Sequence, residues 1–293
     1  MEFDDYLHAR RTEVEAALVA ALPQPPACPE AVASAMRYSV TAGGKRLRPI
    51  LCLASAEAVG GDRAQAMPAA CALEFIHTYS LIHDDLPAMD NDTMRRGRPT
   101  LHVVAGEAIA ILAGDGLLTE AFALLARAPE TTHPIVAARQ LRVIGVVAAA
   151  AGAAGMVGGQ ALDLAGADAD GVPAMHARKT GALIRAAAVS GAIMGGAGED
   201  AIQRVDAAAG EFGFAFQIID DVLDVDGAAV TIGKTPGKDA AAGKVTYPAL
   251  YGVDGARRMA TACIDRAEAH LRHAGIADGP LARIGRWIVD RSH

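Results

Sequence analysis

HTYSLIHDDLPAMDNDTMRRGRPTLH, residues 77–102, runs from an apolar stretch into a dense knot of charge. Four aspartates (Asp84, Asp85, Asp90 and Asp92) fall within nine positions, and Arg95, Arg96 and Arg98 follow within six. Like charges about 4 Å apart cost roughly 4 kcal/mol at an effective dielectric near 20, against about 1 kcal/mol in open water. Behind the apolar Leu81, Ile82 and Leu86, the cluster therefore calls for cations. Asp84 and Asp90 would diverge on an ideal helix, but Pro87 interrupts the helix and lets Asp90 swing back.

A second acidic group of the same design, DDVLD, carries Asp220, Asp221 and Asp224 behind the run FQII. Positions four apart share a helix face, so Asp220 and Asp224 point the same way, about 6 Å apart. Carboxylate oxygens favour a hard cation. Few protein ligands per ion suit magnesium, which keeps waters and shares substrate phosphates. One such cluster alone reads equally well as a solvated helix end. Two of matching design do not.

Basic residues stand near both. In GGKRLRP, residues 43–49, glycines precede Lys45, Arg46 and Arg48 just before a helix, which suits diphosphate binding. Arg95 and Arg96 can grip phosphate oxygens in bidentate fashion or pair with Asp90 and Asp92. Lys179 and Thr180 precede a glycine in ARKTGALIR, residues 177–185, where an exposed helix lysine is the plain alternative. Lys234 and Lys244 lie in the Gly-rich stretch 226–244, either a lid over phosphates or a solvated loop. His77 shares a helical face with Asp84, although a satisfied core histidine is the usual explanation.

The remaining sequence fits a helical protein. Apolar residues make up 52% and aromatics only 4%, which suits closely packed helices rather than an aromatic-rich sandwich. Apolar spacing of three and four predicts helices over about 3–21, 30–42, 48–60, 64–86, 101–128, 134–163, 174–196, 199–225, 245–274 and 279–291. LPQPPACPE, residues 22–30, reads as a linker, and no composition shift marks a domain boundary, so residues 1–293 are expected to form one all-α domain. A net charge of −7 argues against a general nucleic-acid binder. The four cysteines show no CxxC or metal-ligand spacing, and MEFDDYLHARR lacks the features of a signal peptide, so a cytoplasmic protein is expected. Residues 143–162 carry no charge, but twelve of the twenty are Ala or Gly, which favours close helix contact over a membrane span.

Taken together, GGKRLRP, SLIHDDLPAMDNDTMRRGRPTLH, GGQALDL, KTGALIR, FQIIDDVLD and GKTPGKD resemble, in order and spacing, the motif series of the trans-prenyl diphosphate synthases. The similarity covers nearly the whole chain and is strongest to the bacterial short-chain enzymes of farnesyl type, whose first motif has the same DDxxxxD spacing. The resemblance implies a bundle of about ten helices around a central cavity, usually a homodimer. About three magnesium ions would bridge the two acidic motifs to an allylic diphosphate. Asp84, Asp90 and Asp220 match the principal metal ligands, with Asp85, Asp221 and Asp224 assisting. Arg95, Lys179, Lys234 and Lys244 match residues holding the allylic diphosphate, and Lys45, Arg48, His77 and Arg96 those holding isopentenyl diphosphate. Thr180 and Gln217, with Lys179, match polar groups beside the developing carbocation. Asn91 departs from relatives that often carry another Asp there, outside the three-aspartate motif.

The implied reaction is the condensation of isopentenyl diphosphate with dimethylallyl or geranyl diphosphate. Tyr79, with Ser80 beside it, stands about 7 Å below Asp84 along the helix. An aromatic there accompanies short products in the family, so a fifteen-carbon product is expected, with geranylgeranyl diphosphate as the alternative. A phosphohydrolase of the HD class, suggested by His83-Asp84 beside His77, leaves DDVLD unexplained. A non-catalytic regulatory subunit could afford to lose metal ligands, which this chain keeps. A terpene cyclase would have no use for the isopentenyl-binding set.

Overall fold

A computed structural model describes residues 2–127, 133–166, 168, 171–225 and 246–291. The described chain is helical apart from a two-residue antiparallel pair, β1 (Met94–Arg95) with β2 (Arg98–Pro99). The helices are α1 (Phe3–Ala21), α2 (Glu30–Val40), α3 (Leu47–Ala58), α4 (Arg63–Asp84), α5 (Leu101–Ala105), α6 (Glu107–Ala126), α7 (Pro134–Ala151), α8 (Met156–Ala165), α9 (Val172–His176), α10 (Ala182–Gly195), α11 (Glu199–Val225), α12 (Tyr247–His273) and α13 (Pro280–Asp290). A π-helical turn, Ala177–Gly181, joins α9 to α10.

Four of the long helices expected from apolar spacing are interrupted. The stretch 245–274 kinks at Gly252, where φ is 71°. The stretch 101–128 breaks at Gly106, where φ of 82° separates α5 from α6. The stretch 134–163 breaks between Ala151 and Met156, at Gly152 and Gly155, so the uncharged run 143–162 is divided between α7 and α8. Two stretches, 107–126 and 134–165, have the length and hydropathy of a membrane span, but the second contains that break. The stretch 174–196 opens with the π turn rather than regular helix.

α4 and α10 lie at the centre, with Leu73, Phe75, Ile76, Leu183 and Ile184 fully buried. Small residues let backbones touch. A Cβ on Gly191 would fall 1.9 Å from the Cys52 carbonyl oxygen, and one on Gly195 would fall 2.9 Å from that of Ala56. This register, 191 with 52 and 195 with 56, makes α3 and α10 parallel neighbours. Gly213 of α11 similarly abuts Gly181, its Cβ position 3.0 Å from the Gly181 Cα. All four cysteines are free and buried; burial pushes the Cys71 thiol up to about 12 and the Cys52 thiol higher still, which keeps both protonated and inert.

The helix directions set up the site. The N-terminal ends of α3 and α10 and the C-terminal ends of α4 and α11 meet at one end of the bundle, as the contacts described below establish. Helix C-termini carry partial negative charge and N-termini partial positive charge. Aspartates at the ends of α4 and α11 thus add to a negative field, while the start of α3 offers backbone amides to anions; α10 continues the helical π turn and has no free start of its own.

Candidate active site

α4 stops at Asp84, and Pro87 prevents its continuation. The chain folds back at once: the Asp90 amide donates to the Asp84 carbonyl at 2.8 Å, and the Asp92 amide to that of Asp85 at 3.2 Å. Asn91 takes the left-handed conformation this turn needs, with φ of 52°. Burial raises the Asp84 carboxyl to about 6; Asp90 and Asp85 push the same way, while Lys179 and Arg95 oppose. Asp85 is buried and held by Arg95, whose Nε and Nη2 lie 2.8 and 2.6 Å from Oδ1. Burial raises its pKa and Arg95 counters. Arg95 thus pairs with Asp85, reaching Asp92 only at 3.7 Å.

At the end of α11 the aspartates divide. Asp221 is buried and accepts from Gln217 Nε2 at 2.9 Å and from the Tyr247 amide at 3.2 Å. Gln217 Oε1 in turn accepts from the Thr180 hydroxyl at 3.1 Å, which ties the π turn to α11. Asp220, on the adjoining face, is more open and pairs with Arg291 Nη2 at 2.7 Å. Asp224, one turn beyond Asp220, is partly exposed. Lys179 meets Asp163 of α8 at 2.5 Å while lying within electrostatic reach of Asp84.

The basic residues close the site. Lys45 sits 5.8 Å over the Phe216 ring. Arg46 turns inward through a left-handed backbone (φ of 52°) and joins the buried Glu74 at 2.7 Å and the Val40 carbonyl at 2.6 Å, so it braces the loop rather than facing a ligand. Arg48 keeps its Nε buried and without a hydrogen-bond partner. Burial weakens its hold on the proton; Glu74 and Asp220 strengthen it, and Arg96 weakens it further. Arg96 donates to the Gly43 carbonyl and fills the space a Cβ on Gly44 would occupy, 2.7 Å from its Cζ, which accounts for a glycine there. Burial, then Arg48, Arg96, Arg95 and Arg46, hold His77 well below the usual histidine range, so it is neutral near pH 7. Tyr79 is buried with its ring edge-on to His83 at 5.7 Å, and Ser80 donates to the His77 carbonyl at 2.8 Å. His83 Nε2 lies 3.2 Å from the Ile111 carbonyl of α6, so the histidine that suggested an HD hydrolase is engaged away from His77. Lys234 and Lys244 lie outside the described residues.

Lys179 and Arg95 act on Asp84, while Arg48 feels both Asp220 and Arg96. Two acidic helix ends, 136 positions apart in the chain (220 − 84 = 136), are thus each met by basic residues, Lys179 and Arg95 at Asp84 and Arg48 with Arg291 at Asp220. Residues 29–274 match the polyprenyl synthetase family. The chain belongs to that family. It is 43% identical to the farnesyl diphosphate synthase of Geobacillus stearothermophilus over 297 residues, covering 100% of this chain and 99% of that one. It is 44% identical to the geranylgeranyl diphosphate synthase of Cyanophora paradoxa over 293 residues, covering 98% and 96%. Among solved structures, an FPP/GFPP synthase from Zymomonas mobilis superposes with a TM-score of 0.85 at 38% identity, covering 98% of each chain. This polyprenyl synthetase is accordingly a prenyltransferase, a short-chain trans-prenyl diphosphate synthase, and its fold is that of the isoprenoid synthases.

In this polyprenyl synthetase the donor set suits a hard divalent ion, since every acidic side chain at the two helix ends offers oxygen. Among the described residues no three acidic, histidine or cysteine side chains stand close enough to hold an ion unaided. Two site residues were not foreseen from sequence. Asp163 lies in GGQALDL, and the signal was Gly159: a Cβ there would fall 2.2 Å from the Lys179 amide nitrogen, so the glycine lets α8 bring Asp163 to Lys179. Arg291 carried no local signal, because only tertiary packing brings it to Asp220.

Proposed function

We propose that this synthase makes farnesyl diphosphate from isopentenyl diphosphate and dimethylallyl or geranyl diphosphate, using magnesium at the ends of α4 and α11. The observation that carries the metal assignment is the fold-back at the end of α4, where the Asp90 amide donates to the Asp84 carbonyl at 2.8 Å and sets the two aspartates together; burial, with Asp90 and Asp85 beside it, raises the Asp84 carboxyl, as expected of a site that a cation would relieve. Asp84, Asp90 and Asp220 would hold magnesium, with Asp85, Asp221 and Asp224 assisting, and about three ions per site is the number the resemblance to the trans-prenyl diphosphate synthases implies. When bound, magnesium supplies Lewis-acid charge that stabilises the departing diphosphate.

The chain's own residues act around that centre. Lys179 and Arg95 hold the allylic diphosphate, joined in this proposal by Lys234 and Lys244. Lys45, Arg48 and Arg96 hold isopentenyl diphosphate, beside a neutral His77 that can donate a hydrogen bond without adding charge. As the allylic C–O bond breaks, negative charge grows on the leaving oxygen, so these donors stabilise the transition state more than the ground state. Thr180 and Gln217, oriented by Asp221, present fixed dipoles to the allylic cation. The isopentenyl double bond attacks that cation, a C–C bond forms, and the proton lost passes to the released diphosphate.

Tyr79 supports the fifteen-carbon product, being a buried ring five residues before Asp84 on the same helix. A geranylgeranyl product is the second reading, favoured by the likeness to the Cyanophora protein. The protein is further proposed to be a single-domain, cytoplasmic homodimer. Product chromatography after incubation with each allylic primer, isopentenyl diphosphate and magnesium tests the reaction. A fifteen-carbon product abolished by EDTA is expected, and a twenty-carbon main product would overturn the chain-length assignment.

A further inference from the structure

Phe212, Phe216 and Asp220 recur every four residues along α11 and so form one stripe, and α13 packs against it. At one end Gly285 brings α13 so close that a Cβ there would stand 2.5 Å from the Phe212 ring. At the other end Arg291, one residue past α13, spans the other two members. Its guanidinium lies 4.0 Å over the Phe216 ring, and Nη2 donates to the Phe216 carbonyl at 2.9 Å while pairing with Asp220 Oδ1 at 2.7 Å. Nε donates to the Ile288 carbonyl at 3.1 Å. The Arg291 side chain is 2% exposed and that of Asp220 40%, so the arginine stands behind a carboxylate that opens to solvent.

We infer that Arg291 is a positioning residue for Asp220, an inference that rests on Asp220 being a metal ligand. A carboxylate offers about four acceptor sites, and Nη2 takes one on Oδ1, leaving the others for a divalent cation. Partners behind a ligating carboxylate fix its direction, and their loss typically lowers metal affinity 10- to 100-fold. A counter-ion that the metal must displace would act with the opposite sign, because removing a positive charge beside Asp220 strengthens cation binding by Coulomb attraction. The carbonyl of Phe216, the carbonyl of Ile288 and the Phe216 ring all hold Arg291 in place, which is the construction of a bracket.

The test is Mn²⁺ affinity of the purified full chain with one equivalent of geranyl diphosphate and no isopentenyl diphosphate, so that the diphosphate completes the site without being condensed, read from the electron paramagnetic resonance signal of free Mn²⁺, with thermal midpoints measured alongside. Arg291→Gln is expected to weaken Mn²⁺ binding about tenfold or more, with Arg291→Lys recovering part of it. Phe216→Leu, which removes the ring without altering charge, weakens binding several-fold and serves if Arg291→Gln does not fold. Unchanged or tighter binding in Arg291→Gln, whatever its midpoint, overturns the inference. If Asp220→Asn binds Mn²⁺ as the unaltered protein does, Asp220 is not a ligand, and the metal assignment falls together with the role given to Arg291.

Discussion

Tyr79 and His77 sit two positions apart on α4, and the structure gives them different environments. Tyr79 is buried against His83, and burial and Asp84 raise its hydroxyl pKa, so it presents an uncharged ring below the acidic end. If that ring limits product growth, Tyr79→Ala opens room for at least one more five-carbon unit, and chromatography should show the product distribution moving to twenty carbons or beyond. An unaltered distribution would remove Tyr79 from that role. His77 makes a pH prediction. Its folded pKa lies below the unfolded value near 6.5, so below that pH the unfolded chain takes up a proton that the native protein refuses. Stability is therefore at full strength above about pH 7 and falls as the pH drops through 6.5. His77→Gln lacks this titration. Relative to the unaltered protein it should gain up to about 2 kcal/mol between pH 7 and pH 5, measured by urea denaturation at both values; parallel pH dependence of the two would refute it.

Among the elements, α3 and α10 depend on glycine. With 1.9 Å between a Gly191 Cβ and the Cys52 carbonyl oxygen, neither backbone can yield without moving a central helix. Gly191→Ala should destabilise by about 3 kcal/mol and lower the thermal midpoint by roughly 6–12 °C; a midpoint within 1–2 °C (roughly) of the unaltered protein would show that the helices can part. The existence of these helices was legible from apolar spacing, because each buries one face against its neighbours. Their interruptions were less so. Gly106 looks like any glycine in a helical run until its φ of 82° is seen, and the π turn at Ala177–Gly181 carries no periodic signal of its own. The aspartate spacings pointed to the site because local helix geometry governs them: Pro87 turns the chain so that Asp90 returns to Asp84. The fate of Arg46 was not legible, since the sequence does not say that Glu74, 28 positions on, waits buried to receive it.

For the whole molecule, the protein's own cations meet its concentrated acid: Arg95 on Asp85, Lys179 on Asp163 and Arg291 on Asp220. None of these pairs is local enough to be read from the chain alone. On another side the surface is apolar. Val103 and Val104 of α5 and Ile111 and Leu112 of α6, which follows it directly, are exposed. Apolar side chains grouped in this way mark association surfaces, and a second copy of the chain is the partner the proposed homodimer needs. That face is coupled to the site, because His83, next to Asp84, reaches the Ile111 carbonyl, and Gly114 leaves it room: a Cβ there would fall 2.2 Å from His83 Nε2. Ile111→Glu combined with Leu112→Glu should therefore convert a dimer of 30.0 kDa chains into monomers by sedimentation velocity. Because α6 then loses the support that holds it against the end of α4, synthase activity should fall at least tenfold. An unaltered protein that sediments as a monomer at micromolar concentration would refute the dimer, and a monomeric double variant with full activity would separate the association face from the acidic end of α4.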